Sequence, residues 1–344
     1  MEKTLIISMI GKKESYKNVK FTYEEKTISG KLPTFLAYYR ICKELNKDVE
    51  LLVFYPSTLS KDDVFFEEFN EKNNTLIKMP ENYFHNWMAF SFFSIYERIK
   101  NDNFNKLVID VSVGQNVYVI SLVEAFRLLL THYDIVNMIE SDESKKIKGF
   151  ILNSNRPVVE ENKEYKIVLY QYDVNAFFVF PFSKDKDVKF FDILFNNEVG
   201  GEIKRKFNKK FDYKRINNAI GETRRAFNSI YYNAPLAFFD KDIIDLDKLN
   251  DDYLKELKVV FDEIVNENIE INFITLRKAV LTFSFLEMLK KLREREKVEE
   301  VDLDFLEKKF SDLYKKFGLS LNMRFLERDI NEIRNIIRES KIKD

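Results

Sequence analysis

The stretch Leu107-Val-Ile-Asp-Val-Ser-Val-Gly-Gln-Asn-Val117 decides the fold, because it joins a buried strand to a helix start through a turn of small residues. The apolar residues 118–130 follow directly and predict that helix. In open α/β sheets, ligands bind where the carboxyl end of a parallel strand meets the exposed N–H groups of the next helix. The residues expected at this point are Asp110, Ser112, Gly114, Gln115 and Asn116. An ordinary strand–helix connection is the alternative interpretation.

Strand-like and helix-like patterns alternate along the first half of the chain. Predicted strands cover residues 4–10, 49–55 and 106–111, and predicted helices cover residues 33–45, 84–99 and 117–133. Residues 165–171 and 176–182 also have strand patterns, with a hairpin as one arrangement. This alternation predicts an α/β fold, in which an N-terminal domain contains a Rossmann-like parallel sheet.

The second half of the chain has helical spacing almost to its end. Apolar residues recur every three or four positions in residues 208–232, 246–266, 274–295, 302–317 and 322–340. Asp302 predicts a helix N-cap, and Gly318 predicts the end of the same helix. We therefore expect an all-helical C-terminal domain. The predicted boundaries are residues 1–183 for the Rossmann-like domain, 184–245 for a helical connector with a hinge at Gly200-Gly201, and 246–344 for the helical domain.

Composition limits the classes to which the protein can belong. The 344 residues are 45% hydrophobic with a net charge of −1, so no overall field favours nucleic acid or an anionic membrane. Cys42 is the single cysteine, which excludes a disulfide framework and a cysteine-based zinc site. We expect no transmembrane helix, because no apolar run reaches about 18 residues. Met1 leads directly into an apolar strand, so no signal peptide and a cytoplasmic location are expected.

Two further turns follow predicted strands. The first, Ile10-Gly-Lys-Lys-Glu-Ser-Tyr16, offers Gly11 for close backbone approach and Lys12 and Ser15 for phosphate. The second contains Pro56-Ser57-Thr58. Together with the turn at 110–116, these would meet at one edge of a parallel sheet and form a nucleotide-sized pocket. No metal site is predicted.

Three other features have simpler structural interpretations. Arg127 and His132 have a spacing found in ribonuclease motifs, but residues five apart on a helix point in different directions. The basic residues between 203 and 225 could contact RNA phosphates, although such a run is usually a solvated helix face. The phenylalanine-rich stretches at 90–93 and 177–180 have the spacing of core residues.

Three segments in combination resemble the CRISPR-associated Rossmann fold (CARF) family. Gly11, Tyr16 and Val19-Lys-Phe21 are similar to its first strand, glycine turn and following strand. Val53-Phe-Tyr-Pro-Ser-Thr-Leu59 is similar to its second strand and turn. Asp110-Val-Ser-Val-Gly-Gln-Asn116 resembles its Asp-x-Thr-His-Gly-x-Asn motif, with Val113 in place of His. Tyr232-Asn-Ala-Pro-Leu-Ala-Phe238 resembles its linker region.

The resemblance implies a homodimer that binds cyclic tetra- or hexa-adenylate, the messenger of type III CRISPR systems, as an activating ligand or a substrate. The implied ligand-binding residues are those of the three turns, including Tyr16, and no other cofactor is implied. If the bound messenger is cut, Lys12, Ser15 and Ser112 are the candidate catalytic residues of a metal-independent ring nuclease. A two-fold ligand also fits a two-fold interface.

Within this family, the chain resembles type III accessory proteins that carry a helical HEPN ribonuclease domain. The best match to the HEPN motif Arg-Asn-x-x-x-His is Ile333-Arg-Asn-Ile-Ile-Arg-Glu339, in which Arg334 and Asn335 are the candidate catalytic residues and Glu339 replaces His. The helical domain is therefore a degenerate HEPN, a truncated one or another module. Whether the protein is an enzyme stays open. The main hypothesis is a sensor of the messenger. The alternatives are an atypical HEPN-type endoribonuclease and a Rossmann-type nucleotide-responsive regulator that binds nucleic acid through its helical domain.

Overall fold

The protein is described by a computed structural model. It covers residues 2–60, 63, 69, 73–81, 83–112, 116–140, 142, 146–154, 162–182, 190, 194, 201–249, 252–295 and 302–343. The chain forms two compact units. Unit 1 comprises residues 1–134, 142–175 and 258–273, and unit 2 comprises residues 135–141, 176–257 and 274–344. The predicted functional boundaries at residues 183 and 245 stay predictions.

Unit 1 contains a mixed sheet, with eight strands among the described residues. They are β1 (Lys3–Met9), β2 (Asn18–Tyr23), β3 (Lys26–Lys31), β4 (Asp48–Tyr55), β5 (Thr75–Lys78), β6 (Lys106–Asp110), β7 (Lys148–Ser154) and β8 (Glu164–Gln171). Their order is β3-β2-β8-β7-β6-β1-β4-β5. The five strands from β7 to β5 are parallel, whereas β8 runs antiparallel to β7 and β3 antiparallel to β2.

Helices α1 (Thr34–Glu44), α2 (Phe84–Lys100) and α3 (Asn116–Val136) connect or follow these strands. The apolar face of α1, including Phe35 and Tyr39, packs in one core cluster with Ile6 of β1 and Val53 of β4. On β4 every residue from position 49 to 55 is buried. A strand buried on both faces has a continuous apolar sequence rather than an alternating one, which explains why the central strands are evident from the sequence.

Unit 2 is helical. Its helices are α4 (Gly201–Lys210), α5 (Tyr213–Tyr231), α6 (Pro235–Phe239), α7 (Tyr253–Asn266), α8 (Phe273–Arg295), α9 (Leu303–Lys316) and α10 (Ser320–Lys343), of which α7 ends and α8 begins in unit 1. The Asp302 carboxylate accepts a hydrogen bond from the Phe305 amide, so Asp302 caps α9 as predicted. Gly318 follows α9 with a φ of +69°, the left-handed conformation that a helix-ending glycine favours.

The predicted strand at residues 176–182 is wrong. The described residues of this segment form no strand, and β8 pairs instead with β7, which the sequence did not predict. Phe178, Phe180 and Phe182 are buried in unit 2, where the Phe178 ring stacks on Phe227 at 4.1 Å between centroids. Alternate residues are therefore buried, as in a strand, but they pack among helices without a neighbouring ladder.

Two predicted helices begin or end elsewhere. The helix expected at 208–232 is divided between α4 and α5, because Asp212 caps a new helix by accepting from the Arg215 amide. The helix expected to begin at 246 begins at Tyr253. Gly200 of the predicted hinge lies outside the described residues, and Gly201 is the first residue of α4.

The predicted fold class is confirmed: a Rossmann-like, mostly parallel N-terminal sheet is followed by helices in the C-terminal region. Among the helices that are described, none combines the length and apolar character needed to span a membrane.

Gly149 tests the packing of α3 on the sheet. A Cβ at this position would overlap Leu130 Cδ1 of α3 and lie 3.1 Å from the Tyr172 carbonyl oxygen. We expect Gly149→Ala to lower the free energy of unfolding by about 1–3 kcal/mol, the usual effect of overpacking, measured by urea denaturation. Gly221→Ala in α5 is the control, because a Cβ there meets no atom within 4 Å and replaces glycine inside a helix. Equal stability of Gly149→Ala and the wild type would contradict this account.

Candidate functional site

The three predicted turns lie at one edge of the sheet. They follow β6, β1 and β4, which are adjacent and parallel, so the chain positions after Met9, Tyr55 and Asp110 lie side by side. The chain passes from β1 to β4 on one side of β1 and later returns to β6 on the other side. This reversal is a topological switch point, where open α/β sheets bind ligands.

Asp110 organises the end of β6. Its Oδ1 accepts hydrogen bonds from the Ser112 amide at 2.9 Å and the Ser112 hydroxyl at 2.6 Å. Its Oδ2 accepts from the Phe35 amide in the first turn of α1 at 3.2 Å, and Ser8 Oγ of β1 lies 3.4 Å from the same oxygen. Pro33 at the N-cap of α1 provides no side-chain cap. Asp110, at the end of β6, supplies one instead by accepting from the Phe35 amide.

The Asp110 side chain is fully buried. Burial raises the pKa of the Asp110 carboxyl from its usual 3.8 to about 6, although the hydrogen bonds from Ser112, Phe35 and Ser8 oppose this rise. With its oxygens occupied by protein donors, the carboxyl positions the turn and is not itself exposed to a ligand. Ser112, by contrast, is exposed.

The turn after β1 is held by Tyr16. The Gly11 amide donates to the Tyr16 hydroxyl at 3.0 Å, and burial raises the pKa of this phenol to about 12, so Tyr16 stays neutral. The Ser15 hydroxyl donates to the Lys12 carbonyl at 2.6 Å across a single 3-10 turn. The side chains of Lys12 and Ser15 are exposed, so both are accessible to a ligand.

The turn after β4 lies against the first turn of α3. The Leu59 amide donates to the Pro56 carbonyl at 3.1 Å and closes this turn. The Ser57 hydroxyl lies beside the hydroxyl of Tyr118, a buried residue of α3, and opposes the rise that burial causes in the pKa of this phenol. Thr58 is exposed at the tip of the turn.

The N-terminus of α3 completes the described part of this edge. Asn116 is exposed at the first position of a 21-residue helix, whose N-terminal end carries a partial positive charge. The predicted site residues Gly114 and Gln115 lie outside the described residues, as does Val113. We call Lys12, Ser15, Ser57, Thr58, Ser112 and Asn116 the strand-end pocket: all are hydroxyl, amide or ammonium groups, the donors that phosphates bind.

The candidate catalytic residues of α10 have other neighbours. The Arg334 guanidinium pairs with Asp304 and, at 2.8 Å, with Glu307, both in α9. Asn335 is exposed beside it. These ion pairs attach α10 to α9 within unit 2, so Arg334 has a structural role whatever else it does.

Arg127, His132 and two arginines of the basic run are also paired or buried. Arg127 pairs with Glu124, and His132 is buried with its ring edge against Tyr96 at 5.4 Å between centroids. In the basic run, Arg215 and Arg225 form ion pairs with Glu256 and Glu222. Among the described residues, no group of three or more His, Cys, Asp or Glu side chains is placed to hold a metal ion.

Sequence reasoning missed the aromatic residues behind the strand-end pocket. The Trp87 ring, in the first turn of α2, packs against Tyr118 at 4.3 Å between centroids, with the ring planes tilted by 32°. Its indole N–H donates to the Pro80 carbonyl at 2.9 Å. Both aromatics occupy first turns of helices that begin at the carboxyl edge of a parallel sheet, and this shared position is the signal that could have identified them.

The Asp110 carboxyl should make stability depend on pH. Because its pKa is about 6 in the folded protein and 3.8 when exposed, the folded state binds a proton that the unfolded state has released between these values. The contribution of Asp110 to stability is then greatest below pH 3.8. It falls as the pH rises to 6, by about 3 kcal/mol for a shift of roughly two pKa units. We expect urea denaturation between pH 4 and 7 to show this fall relative to Asp110→Asn. Parallel curves for the two proteins would contradict it.

A known protein family matches the part of the chain that carries these three turns. Residues 5–157 match the family described as "CRISPR system endoribonuclease Csx1, CARF domain", and a search of curated proteins found no match. The matched range includes β1, β4 and β6 with all three turns of the strand-end pocket. This match supports the CARF family for residues 5–157 of the chain.

Proposed function

We propose that this protein is a sensor of type III CRISPR antiviral defence that binds a cyclic oligoadenylate, cyclic tetra- or hexa-adenylate, in its strand-end pocket. The observation that carries the proposal is the convergence of three donor-bearing turns at the switch point of a sheet, inside the range that matches the CARF domain. A nucleotide ligand fits this position because phosphates are bound by amides and hydroxyls at strand ends and helix N-termini.

Each part of the ligand has a partner in the proposed complex. Lys12 contacts a phosphate as a point charge, and the N-terminal end of α3 at Asn116 adds a favourable dipole. Ser57 and Ser112 provide hydroxyls for phosphate or ribose oxygens. Gly11 allows close approach of the ligand to the backbone after β1, because it places no side chain there.

Asp110 supports this arrangement without touching the ligand. A free carboxylate at the pocket would repel phosphates. The Asp110 carboxyl is instead buried behind Ser112, and its oxygens are occupied by hydrogen bonds from β1, α1 and its own turn. Asp110 is therefore a positioning residue.

The proposed active form is a homodimer, because a cyclic messenger has a symmetry that two identical pockets can match. Two apolar side chains on α3, Val117 and Ile120, are 46% and 52% exposed and follow Asn116 of the pocket directly. A second copy of this chain that covers them would bring the two pockets next to each other.

Cleavage of the bound messenger is the strongest addition to this proposal. A ribose 2′-oxygen would attack the adjacent phosphorus, break the bond to the 5′-oxygen and leave a 2′,3′-cyclic phosphate, while its proton passes to the 5′-oxygen. The accessible Lys12, Ser15 and Ser112 are the groups that favour this candidate, since Lys12 can stabilise charge on the phosphorane.

The primary test is binding without metal. We expect labelled cyclic tetra- or hexa-adenylate to bind in a mobility shift, and Lys12→Ala to weaken binding about tenfold or more, since a hydrogen bond to a charged group contributes about 1.5–3 kcal/mol. Lys26→Ala is the matched control, because Lys26 begins β3 at the opposite edge of the sheet. If neither ring bound, the proposed function would be overturned.

Chromatography of the same reactions, with a linear RNA included, separates the activities. Linear products of the messenger that disappear in Lys12→Ala, Ser15→Ala or Ser112→Ala would identify a ring nuclease. Cleavage of the RNA that depends on the messenger and on Arg334 would identify an atypical HEPN-type endoribonuclease. Binding with neither product leaves a non-catalytic sensor.

The dimer is tested by changing its proposed interface. We expect Ile120→Lys to shift the protein from dimer to monomer in analytical ultracentrifugation, because burying an unpaired ammonium group at an interface is unfavourable. The control is Ile274→Lys in α8, which is 68% exposed in unit 2. A dimer that persists in Ile120→Lys would place the interface elsewhere.

A further inference from the structure

The first turn of α2 contacts two different parts of unit 1. On one side, the Trp87 ring packs against Tyr118 with the ring planes tilted by 32°, and the Tyr118 hydroxyl lies beside Ser57 of the strand-end pocket. On the other side lies the segment between α7 and α8, which also belongs to unit 1. The residues of this turn are therefore in contact with both the pocket wall and a segment far away in the sequence.

Asn86 holds that segment through both atoms of its side-chain amide. Its Nδ2 donates to the Ile269 carbonyl at 2.8 Å, and its Oδ1 accepts from the Ile271 amide at 3.0 Å. Asn86 is 1% exposed, so water cannot replace these bonds. Removing the side chain would take these partners away from the buried Ile269 carbonyl and Ile271 amide, which is unfavourable.

A second contact lies next to this pair. His85 Nδ1 is 2.9 Å from a carboxylate oxygen of Glu270, the residue between the two that Asn86 holds. Asn86 thus fixes Ile269 and Ile271, and His85 lies against the residue between them. Movement of this helix turn must move the segment or break these contacts.

The start of α2 is also strained. Tyr83, its N-cap residue, has a φ of +52°, a conformation that L-residues other than glycine rarely adopt. Strained backbone of this kind is concentrated at active sites, ligand-binding sites and switch regions. The helix turn that links pocket and segment therefore begins at a strained residue.

We propose that Asn86 and Trp87 couple occupancy of the strand-end pocket to residues 267–273, the segment that leads from α7 into α8. A ligand that engages Ser57 alters the contact between the Ser57 and Tyr118 hydroxyls, Tyr118 shifts Trp87, and Asn86 transmits the shift to the backbone at 269–271. This inference rests on the proposed function and specifies how occupancy of the same pocket is passed on to the rest of the chain. Because α8 continues along the chain into unit 2, the segment is the covalent route by which the signal leaves the sheet.

The protein contains a natural reporter of this coupling. Trp87 is the single tryptophan of the chain, so tryptophan fluorescence, excited selectively over that of tyrosine, reports on the proposed relay alone. Hydrogen exchange provides the second readout, because the Ile271 amide donates to Asn86. In the wild type at saturating cyclic tetra- or hexa-adenylate, we expect a shifted tryptophan emission and a change of about fivefold or more in exchange of the peptide containing Ile271.

Variants at each end of the relay separate coupling from binding. We expect Asn86→Ala to bind the ligand within about threefold of the wild type but to lose the exchange change, as expected when a coupling free energy is removed without loss of the site. Tyr118→Phe removes only the hydroxyl that meets Ser57 and should also reduce the exchange change, which keeps the test decisive if Asn86→Ala does not fold. Asn105→Ala is the control, since Asn105 accepts from the Lys3 amide, away from the relay.

The outcomes distinguish the two proposals. Ligand binding without a change at 267–273 in the wild type, or an unchanged response in both Asn86→Ala and Tyr118→Phe, would overturn the coupling and leave the sensor function intact. Absence of binding to both rings in the mobility shift would overturn the sensor function and the coupling with it. Loss of the response in the relay variants but not in Asn105→Ala would establish the coupling.

Discussion

The buried carboxyl of Asp110 is the constraint on which the site depends. It joins the end of β6 to β1 through Ser8, to α1 through the Phe35 amide and to its own turn through Ser112. The N-cap residue of α1, Pro33, makes no side-chain cap of its own. One residue thus determines how two strands, a helix start and a turn meet. Burial makes its ionised form less favourable, as the raised pKa indicates, so burying this carboxyl reduces stability at neutral pH even though its hydrogen bonds partly offset the effect.

The order of the sheet explains why the edge is a site. Adjacent parallel strands deliver their turns to the same side, and the reversal of direction at β1 separates the helix connections enough to leave the turns accessible. Exposure divides the residues into two roles. Lys12, Ser15 and Ser112 are exposed and can meet a ligand, whereas Tyr16 and Asp110 hold the turns from inside.

The sequence predicted the parts of the fold in which local pattern and tertiary burial agree. The central strands and α1 to α3 have continuous apolar runs or helical spacing, and the Asp302 and Gly318 helix ends follow from capping chemistry. It failed at residues 176–182, where alternate phenylalanines pack among helices, and at β7, whose partner is set by tertiary contacts. The turn residues were predicted as one group, but their roles were not. Burial of Asp110 depends on α1, 75 residues away, and no local pattern reveals it.

The contacts of α2 explain why helix first turns suit the relay that we propose. A first turn lies at the ligand edge of the sheet, and its unpaired amides leave it less constrained than the middle of the helix. Its side chains can therefore respond to the pocket while the helix body stays packed. Asn86 suits this position because an amide side chain can donate and accept at once, so it pairs with both a carbonyl and an amide of a passing segment. A hydrophobic residue there could pack against the segment but could not fix its position along the chain.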